Sequence, residues 1–256
     1  MTGYVSGLLT TAVKATRIGA VQHIDLDERG ARGDRSFCVI DERGRMVNGK
    51  NFARLLTVVS RYDLASGELA MAFPDGSSVD GQVRHGEMMP ITFFSRPCTA
   101  RLVSGPWAEA LSSHIGAPLR LVEPDVGVDR GRKAGVSLIS RASVEHLAEV
   151  AKTESIDPRR FRMLIEVDGL APNEEDAWVG REVTVGPTRI AIHGNVGRCA
   201  ITTRDPESAV VDFPTLKLLA SYRREMETTE PLPFGVYGEV LAPGRVSIGD
   251  PVAVEA

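Results

Sequence analysis

The stretch His193-Gly194-Asn195-Val196-Gly197-Arg198-Cys199-Ala200-Ile201-Thr202-Thr203-Arg204-Asp205-Pro206 decides how the rest of the chain is read. Glycines precede Cys199, an arginine touches it and β-branched residues follow it, which predicts a place where a loop enters a strand, within reach of a ligand. Upstream, Glu182 to His193 reads as strand with a turn at Gly186-Pro187, Phe161 to Val167 as strand, and Ser140 to Ala151 as a helix burying Val144, Leu147, Ala148 and Ala151 on one face. Downstream, Pro214 to Glu225 reads as a helix with proline in its first turn and Leu216, Leu219 and Ala220 at helical spacing. Two short strands, with a turn at Ala242-Pro243-Gly244, finish the chain.

The first half has a different rhythm. Short strands are predicted at Tyr4 to Thr10, Ala20 to Leu26, Ser36 to Ile40, Leu56 to Tyr62, Glu68 to Phe73 and Ile91 to Phe94, broken by Asp41-Glu42-Arg43-Gly44, Ser66-Gly67 and Pro74-Asp75-Gly76. A helix over Pro106 to Ile115 and a strand over Leu119 to Val122 follow. The polar segment Asp125 to Gly135, with Asp129-Arg130-Gly131-Arg132-Lys133, reads as a linker or mobile loop. The expected organisation is therefore a β-rich domain over residues 1–124, a linker over 125–136 and a second domain over 137–256.

Composition narrows the function classes. A chain of 256 residues, 43% hydrophobic and 25% charged with a net charge of -4, buries a substantial core as one large domain or two intimate ones. Without a concentrated basic stripe interleaved with aromatics, nucleic-acid binding is not expected. No apolar run approaches the roughly 20 residues that cross a bilayer, so no membrane span and a cytoplasmic location are expected. Cys38, Cys98 and Cys199 are odd in number and far apart, a pattern that argues against a disulfide framework, a structural zinc site or an iron-sulfur cluster.

Local chemistry leaves two readings of Cys199 open. As a thiolate favoured by Arg198 it is a soft metal ligand or a persulfide carrier. As a lone cysteine in a β-rich chain it is a small buried hydrophobe. Cys38, inside Phe37-Cys38-Val39-Ile40, takes the second reading, and Cys98 does so as well. His193 either lines the same cavity as a proton donor or hydrogen-bonds structurally. His85, His114 and His146 show no zinc-ligand spacing.

The ordered set Arg198-Cys199, Thr202-Thr203, Asp205-Pro206, Leu219 to Arg223, Phe234-Gly235, Tyr237 and Gly249-Asp250, extended upstream through Trp178, Phe161-Arg162 and Ile139 to Leu147, resembles the MOSC domain, the C-terminal domain of molybdenum-cofactor sulfurases. It is most similar to the amidoxime-reducing branch. The resemblance covers residues 137–255, and Val13-Lys14, Gly33-Asp34-Arg35 and Arg54-Leu55 extend it more loosely to the MOSC N-terminal β-barrel domain. It implies an α+β fold: a MOSC-type β-barrel with flanking helices, preceded by a β-rich N-terminal domain packed against it, the two enclosing a cofactor cleft. It also implies molybdenum cofactor (molybdopterin), with Cys199 as catalytic residue and metal ligand. Lys14, Arg35, Lys50, Arg162, Arg198 and Tyr237 match positions of the family pocket. Guanidinium suits the cofactor's phosphate because it forks two bonds onto one anion and keeps its charge when partly buried.

The implied activity is reduction of N-oxygenated small molecules with electrons from a separate ferredoxin-like or flavin reductase partner. The alternatives are sulfur transfer through a Cys199 persulfide supplied by a cysteine desulfurase, and a non-catalytic module binding a pterin or other anionic small molecule. Pyridoxal phosphate belongs to another domain of full-length sulfurases and is not expected here. The chain departs from the branch at Ala15, which replaces a common serine, at Met163-Leu164, which replace Pro-Asn, and at Gly197, where serine often stands.

Overall fold

Alternation along the strands builds the larger core. The computed structural model describes residues 2–93, 96–125 and 131–255. Val5 and Leu8 of strand Thr2–Thr10, Val183 and Val185 of Glu182–Val185, Ile190 and Ile192 of Thr188–Gly197, and Val236 and Val240 of Pro233–Ala242 all point into one apolar cluster with Trp178. These strands, with Val136–Ser140, Ile165–Asp168 and Pro251–Val254, close on themselves, because Thr2–Thr10 pairs antiparallel with Ile165–Asp168 on one side and Pro251–Val254 on the other. Seven strands thus form a closed barrel filled by side chains. Its one parallel pairing, Val136–Ser140 with Ile165–Asp168, is made possible by a helical crossover spanning Arg141–Ala151. Val144, Leu147 and Ala148 of that helix pack with Leu219, of the helix Thr215–Arg223, and with Phe161 and Phe234 against the barrel's flank.

The N-terminal β-rich part holds two further sheets. Strands Cys38–Ile40, Arg120–Pro124, Arg96–Ser104 and Arg84–Phe93 form one, and Val59–Asp63, Glu68–Ala72 and Ser78–Gln82 the other. Phe37, Leu55, Leu69, Trp107 and Leu111 form a second core between them, with the helix Trp107–Ile115 contributing the last two. The architecture is the expected α+β barrel with flanking helices and an attached β-rich region.

Several expectations need correction. The run Ala20 to Leu26 is divided between two partners: Gly19–Ala20 pairs with Thr2–Thr10, and His23–Asp27 pairs with Gly244–Ser247. Leu56 to Tyr62 begins as a 3-10 turn, Ala53–Thr57, closed by Val58 N–H to the Leu55 carbonyl at 3.1 Å. Phe161 to Val167 is strand only from Ile165, since Arg162 sits in the left-handed region at φ 56° and breaks the extended run. Strands Ser78–Gln82, Arg96–Ser104 and most of Arg84–Phe93 were not anticipated, their polar composition hiding the period of two. Phe94 and residues 126–130 of the expected linker lie outside the described residues; Gly131–Ala134 is a 3-10 turn and Val136–Ser140 is already barrel. The division at 1–124 and 137–256 is not a spatial one at its start, because Thr2–Thr10 is a barrel stave.

Candidate functional site

Cys199 leaves a strand rather than entering one. The strand Thr188–Gly197 ends two residues before it, and Cys199, extended at φ -133° and ψ 175°, stands at the cap of a 3-10 turn, Ala200–Thr203. Its carbonyl accepts the Thr202 N–H at 3.1 Å and the Thr202 hydroxyl at 3.0 Å. The turn is held from outside: Thr215 donates its hydroxyl to the Thr202 carbonyl at 2.6 Å, and Arg160 forks onto Asp212 at 2.7 and 2.9 Å while reaching the Arg204 carbonyl at 2.7 Å. Cys199 is half-buried, in contrast to Cys38, which is fully buried and whose thiol burial pushes up to about 12. Cys38 is thus a packed thiol, as read from its sequence.

Lys14 is presented by a loop between the two cores. A triangle of buried hydroxyls ties that loop down: Thr11 to Thr16 at 2.7 Å, Thr16 to Ser60 at 2.7 Å and Thr11 to Ser60 at 3.1 Å, with Ser60 also accepting the Val13 N–H at 3.0 Å. Asp34 accepts the Thr11 N–H at 2.9 Å and ion-pairs with Arg35. Arg35 then donates to the Arg162 carbonyl at 2.8 Å, and Arg162 donates to the Thr16 carbonyl at 2.8 Å. Positions 14, 35 and 162, remote in sequence, are knitted into one cluster by these bonds. Ala15 (φ 73°), Arg35 (φ 47°) and Arg162 (φ 56°) all occupy the left-handed region, a conformation that costs energy for residues other than glycine and that collects at functional sites.

The cations oppose one another. Burial, then Arg35 and Arg162, pushes the Lys14 ammonium down to about 7, with Asp34 acting the other way. Burial, then Arg35, pushes Arg162 down to about 9, so it stays charged at neutral pH, and Asp34 and Cys199 both favour its charge. Cys199 thus favours the charged form of both Arg162 and Arg198. A half-buried thiol coupled to two guanidinium groups, one of them in a cationic cluster, has the chemistry to hold a soft metal and a phosphate.

The Arg198 guanidinium donates to the carbonyls of Phe234 and Phe161, each at 2.8 Å, and to Met163 Sδ at 2.9 Å, while lying over the Phe161 ring. Its donors therefore organise the backbone behind Cys199, and it adds charge rather than a fork to the cleft. Lys50 is exposed on a turn, where its N–H bonds Asn48 at 2.9 Å. Tyr237, half-buried on the strand Pro233–Ala242, is paired with Gly194 and lies against it. His193 lies within its strand facing Glu239 at 3.3 Å, and so takes the structural reading.

Three groups escaped the sequence. Asp34, Ser60 and the two threonines position Lys14, and Asp34 alone had a signal, standing beside Arg35. Glu175, 1% exposed, accepts the Ser140 N–H at 3.1 Å and the Ser143 hydroxyl at 2.9 Å, and burial pushes its carboxyl up to about 7. Asp176 pairs with the buried Arg223 and accepts from Asn195 at 2.9 Å. The departures have local causes. Leu164 faces the barrel core, Met163 receives Arg198, and a Cβ at Gly197 would come within 3.1 Å of Glu230 and Pro231.

Sequence models match the chain twice: the MOSC domain over residues 125–253 and the MOSC N-terminal beta barrel domain over 2–109. The chain is 25% identical to mitochondrial amidoxime-reducing component 1 of Xenopus laevis, over 98% of this chain and 81% of the relative. It is 25% identical to that of Homo sapiens, over 98% and 82%. It is 21% identical to molybdenum cofactor sulfurase 2 of Culex quinquefasciatus, over 83% of this chain and 31% of the relative. Among solved structures, the YUAD protein of Bacillus subtilis is similar at a TM-score of 0.47 and 14% identity, over 99% and 96%. No described helix is long and apolar enough to cross a membrane.

Proposed function

The chain belongs to the MOSC domain family, and from that premise we propose that it binds molybdenum cofactor between its two cores and reduces N-oxygenated small molecules. The observation that carries the reading is the convergence of Lys14, Arg35 and Arg162 beside Cys199, on a backbone held in left-handed conformations. Like charges that weaken one another in a partly buried place are stabilised by an anion, and a phosphate is the anion guanidinium fits best.

Lys14, Arg35 and Arg162 would hold the phosphate, with Asp34 orienting Arg35 and the Thr11-Thr16-Ser60 triangle fixing Lys14. The Cys199 thiolate would ligate the metal, and Arg198 would keep the turn beneath it in register through the Phe161 and Phe234 carbonyls. The bound cofactor supplies two-electron redox chemistry. In the overall balance an N–OH group takes two electrons and two protons and leaves as N–H plus water, the electrons coming from a separate electron-transfer protein. The similarity to a molybdenum cofactor sulfurase supports a second reading, sulfur transfer through Cys199.

Protein made in a cofactor-competent host separates these readings. Stoichiometric molybdenum with N-hydroxy reduction from an artificial donor is expected; cyanide-labile sulfur without metal selects the second reading. Arg35→Ala and Arg162→Ala should each lower molybdenum content in folded protein, since a charge-assisted contact contributes roughly 1.5 to 3 kcal/mol. Unchanged content in both variants would show the pocket assignment wrong.

A further inference from the structure

A groove of about 550 Å³ lies between the Val59–Asp63 strand of the N-terminal region and the barrel-side segments 17–25 and 32–34. Its volume falls within the roughly 300–1,000 Å³ typical of small-molecule sites. It abuts the candidate site in two places. Asp34, which orients Arg35, lines it, and Ile18 and Arg159 are shared with a cavity of about 10 Å³, room for one water, whose walls include Arg162 and Ile201.

The charges lining the groove do not cancel. Its three carboxylates already have partners: Asp25 is forked by Arg245 at 2.8 and 2.9 Å, Asp34 pairs with Arg35, and Glu207 is shared by Arg17 and Arg159. Arg159 is held further by Asp157 at 2.6 Å. That leaves Arg32, after the Gly30–Ala31 strand, and Arg61, on Val59–Asp63, exposed and without an ion pair among the described residues. Both line the groove, together with His23.

We propose that this groove binds the anionic end of the substrate, a phosphate or carboxylate carried by the N-oxygenated compound, through Arg32 and Arg61. The inference rests on the reductase reading above and adds to it a substrate class. Two guanidinium groups lining one groove offer an anion more than one forked contact, which selects charged over neutral compounds by more than either exposed charge does alone. The groove's size admits a nucleotide-sized molecule, and it shares Ile18 and Arg159 with the small cavity that Arg162 lines.

The test compares N4-hydroxycytidine with its 5′-monophosphate, which share the reacting group and differ in the anion. Molybdenum-loaded wild-type protein should show a KM about tenfold lower for the monophosphate, equivalent to ~1.4 kcal/mol. In the double variant Arg32→Gln/Arg61→Gln that ratio should fall toward one while molybdenum content stays at the wild-type level. Equal KM values in wild type, or a ratio unmoved by the variant, overturn the proposal. A drop in molybdenum content overturns it too, by assigning the groove to the cofactor's own phosphate. If loaded protein reduces neither compound, the reductase reading fails, and calorimetric titration of cofactor-free protein with inorganic pyrophosphate decides the groove separately. Saturable binding that the double variant loses then supports an anion site; no binding refutes it.

Discussion

Replacing Lys14 by methionine should stabilise the cofactor-free protein and weaken the loaded one. The side chain is moved from an ordinary 10.5 down to about 7 by burial and by Arg35 and Arg162. At ~1.36 kcal/mol per pH unit the folded state would be penalised by at most ~5 kcal/mol for carrying that charge. The Lys14 side chain itself is only half-buried, and screening and relaxation bring the expected gain from Lys14→Met to about 1–2 kcal/mol. For a chain of this size that raises the melting temperature by roughly 2–8 °C. The sign also fixes a pH dependence. Between about 7 and 10.5 the unfolded lysine holds a proton that the folded one has released, so cofactor-free wild type gains stability as pH rises from 7 to 9. Lys14→Met should lose that slope and, made in a cofactor-competent host, should carry less molybdenum. Differential scanning calorimetry at pH 7, 8 and 9 with elemental analysis checks all three. A variant that melts no higher than wild type at pH 7, together with a flat wild-type profile, would refute the account of the cluster as mutually repelling.

Iodoacetamide should alkylate Cys199 in native cofactor-free protein and leave Cys38 intact until unfolding, because the Cys38 thiol is sealed and pushed up to about 12. Cys199→Ser should abolish activity with little change in melting temperature, whereas Cys38→Ser should cost about 1–3 kcal/mol of stability; the reverse pattern would return Cys199 to a packing role. Arg198→Lys replaces a planar fork by one point donor, leaving carbonyls of Phe161 and Phe234 short of partners, and should destabilise by ~2–4 kcal/mol on thermal unfolding. Glu175, raised from 4.5 to about 7, keeps its proton in the folded state over that window while the unfolded chain releases it. Wild-type stability should therefore fall as pH rises from 5 to 7, and Glu175→Gln should show a flatter melting profile.

The barrel and its helices were legible because they are written in local periods. Val183, Val185, Ile190 and Ile192 alternate, and Val144, Leu147 and Ala148 repeat at helical spacing, whatever the rest of the chain does. The Cys199 loop stood out for the same reason, its glycines and threonines being short-range signals. What escaped was anything depending on a distant partner. Ala20 to Leu26 splits because two different strands claim it, and Thr2–Thr10 joins the C-terminal barrel through pairings with Ile165–Asp168 and Pro251–Val254.

The run Arg159-Arg160-Phe161-Arg162 shows where the boundary lies. What is local in it is three guanidinium groups within four residues; the strand expected from Phe161 is instead a turn in the folded chain, which Asp157 caps by accepting the Arg159 N–H at 2.9 Å. The fold then sends the three groups to separate partners: Arg159 to Asp157 and Glu207, Arg160 to Asp212, and Arg162 to the Thr16 carbonyl and the cluster with Lys14 and Arg35. Charge and donor geometry are properties of a residue and can be read where it stands. Which acceptor a guanidinium meets, and whether its charge is spent internally or left facing a ligand, depends on chain segments up to 146 positions away that the closed barrel brings alongside.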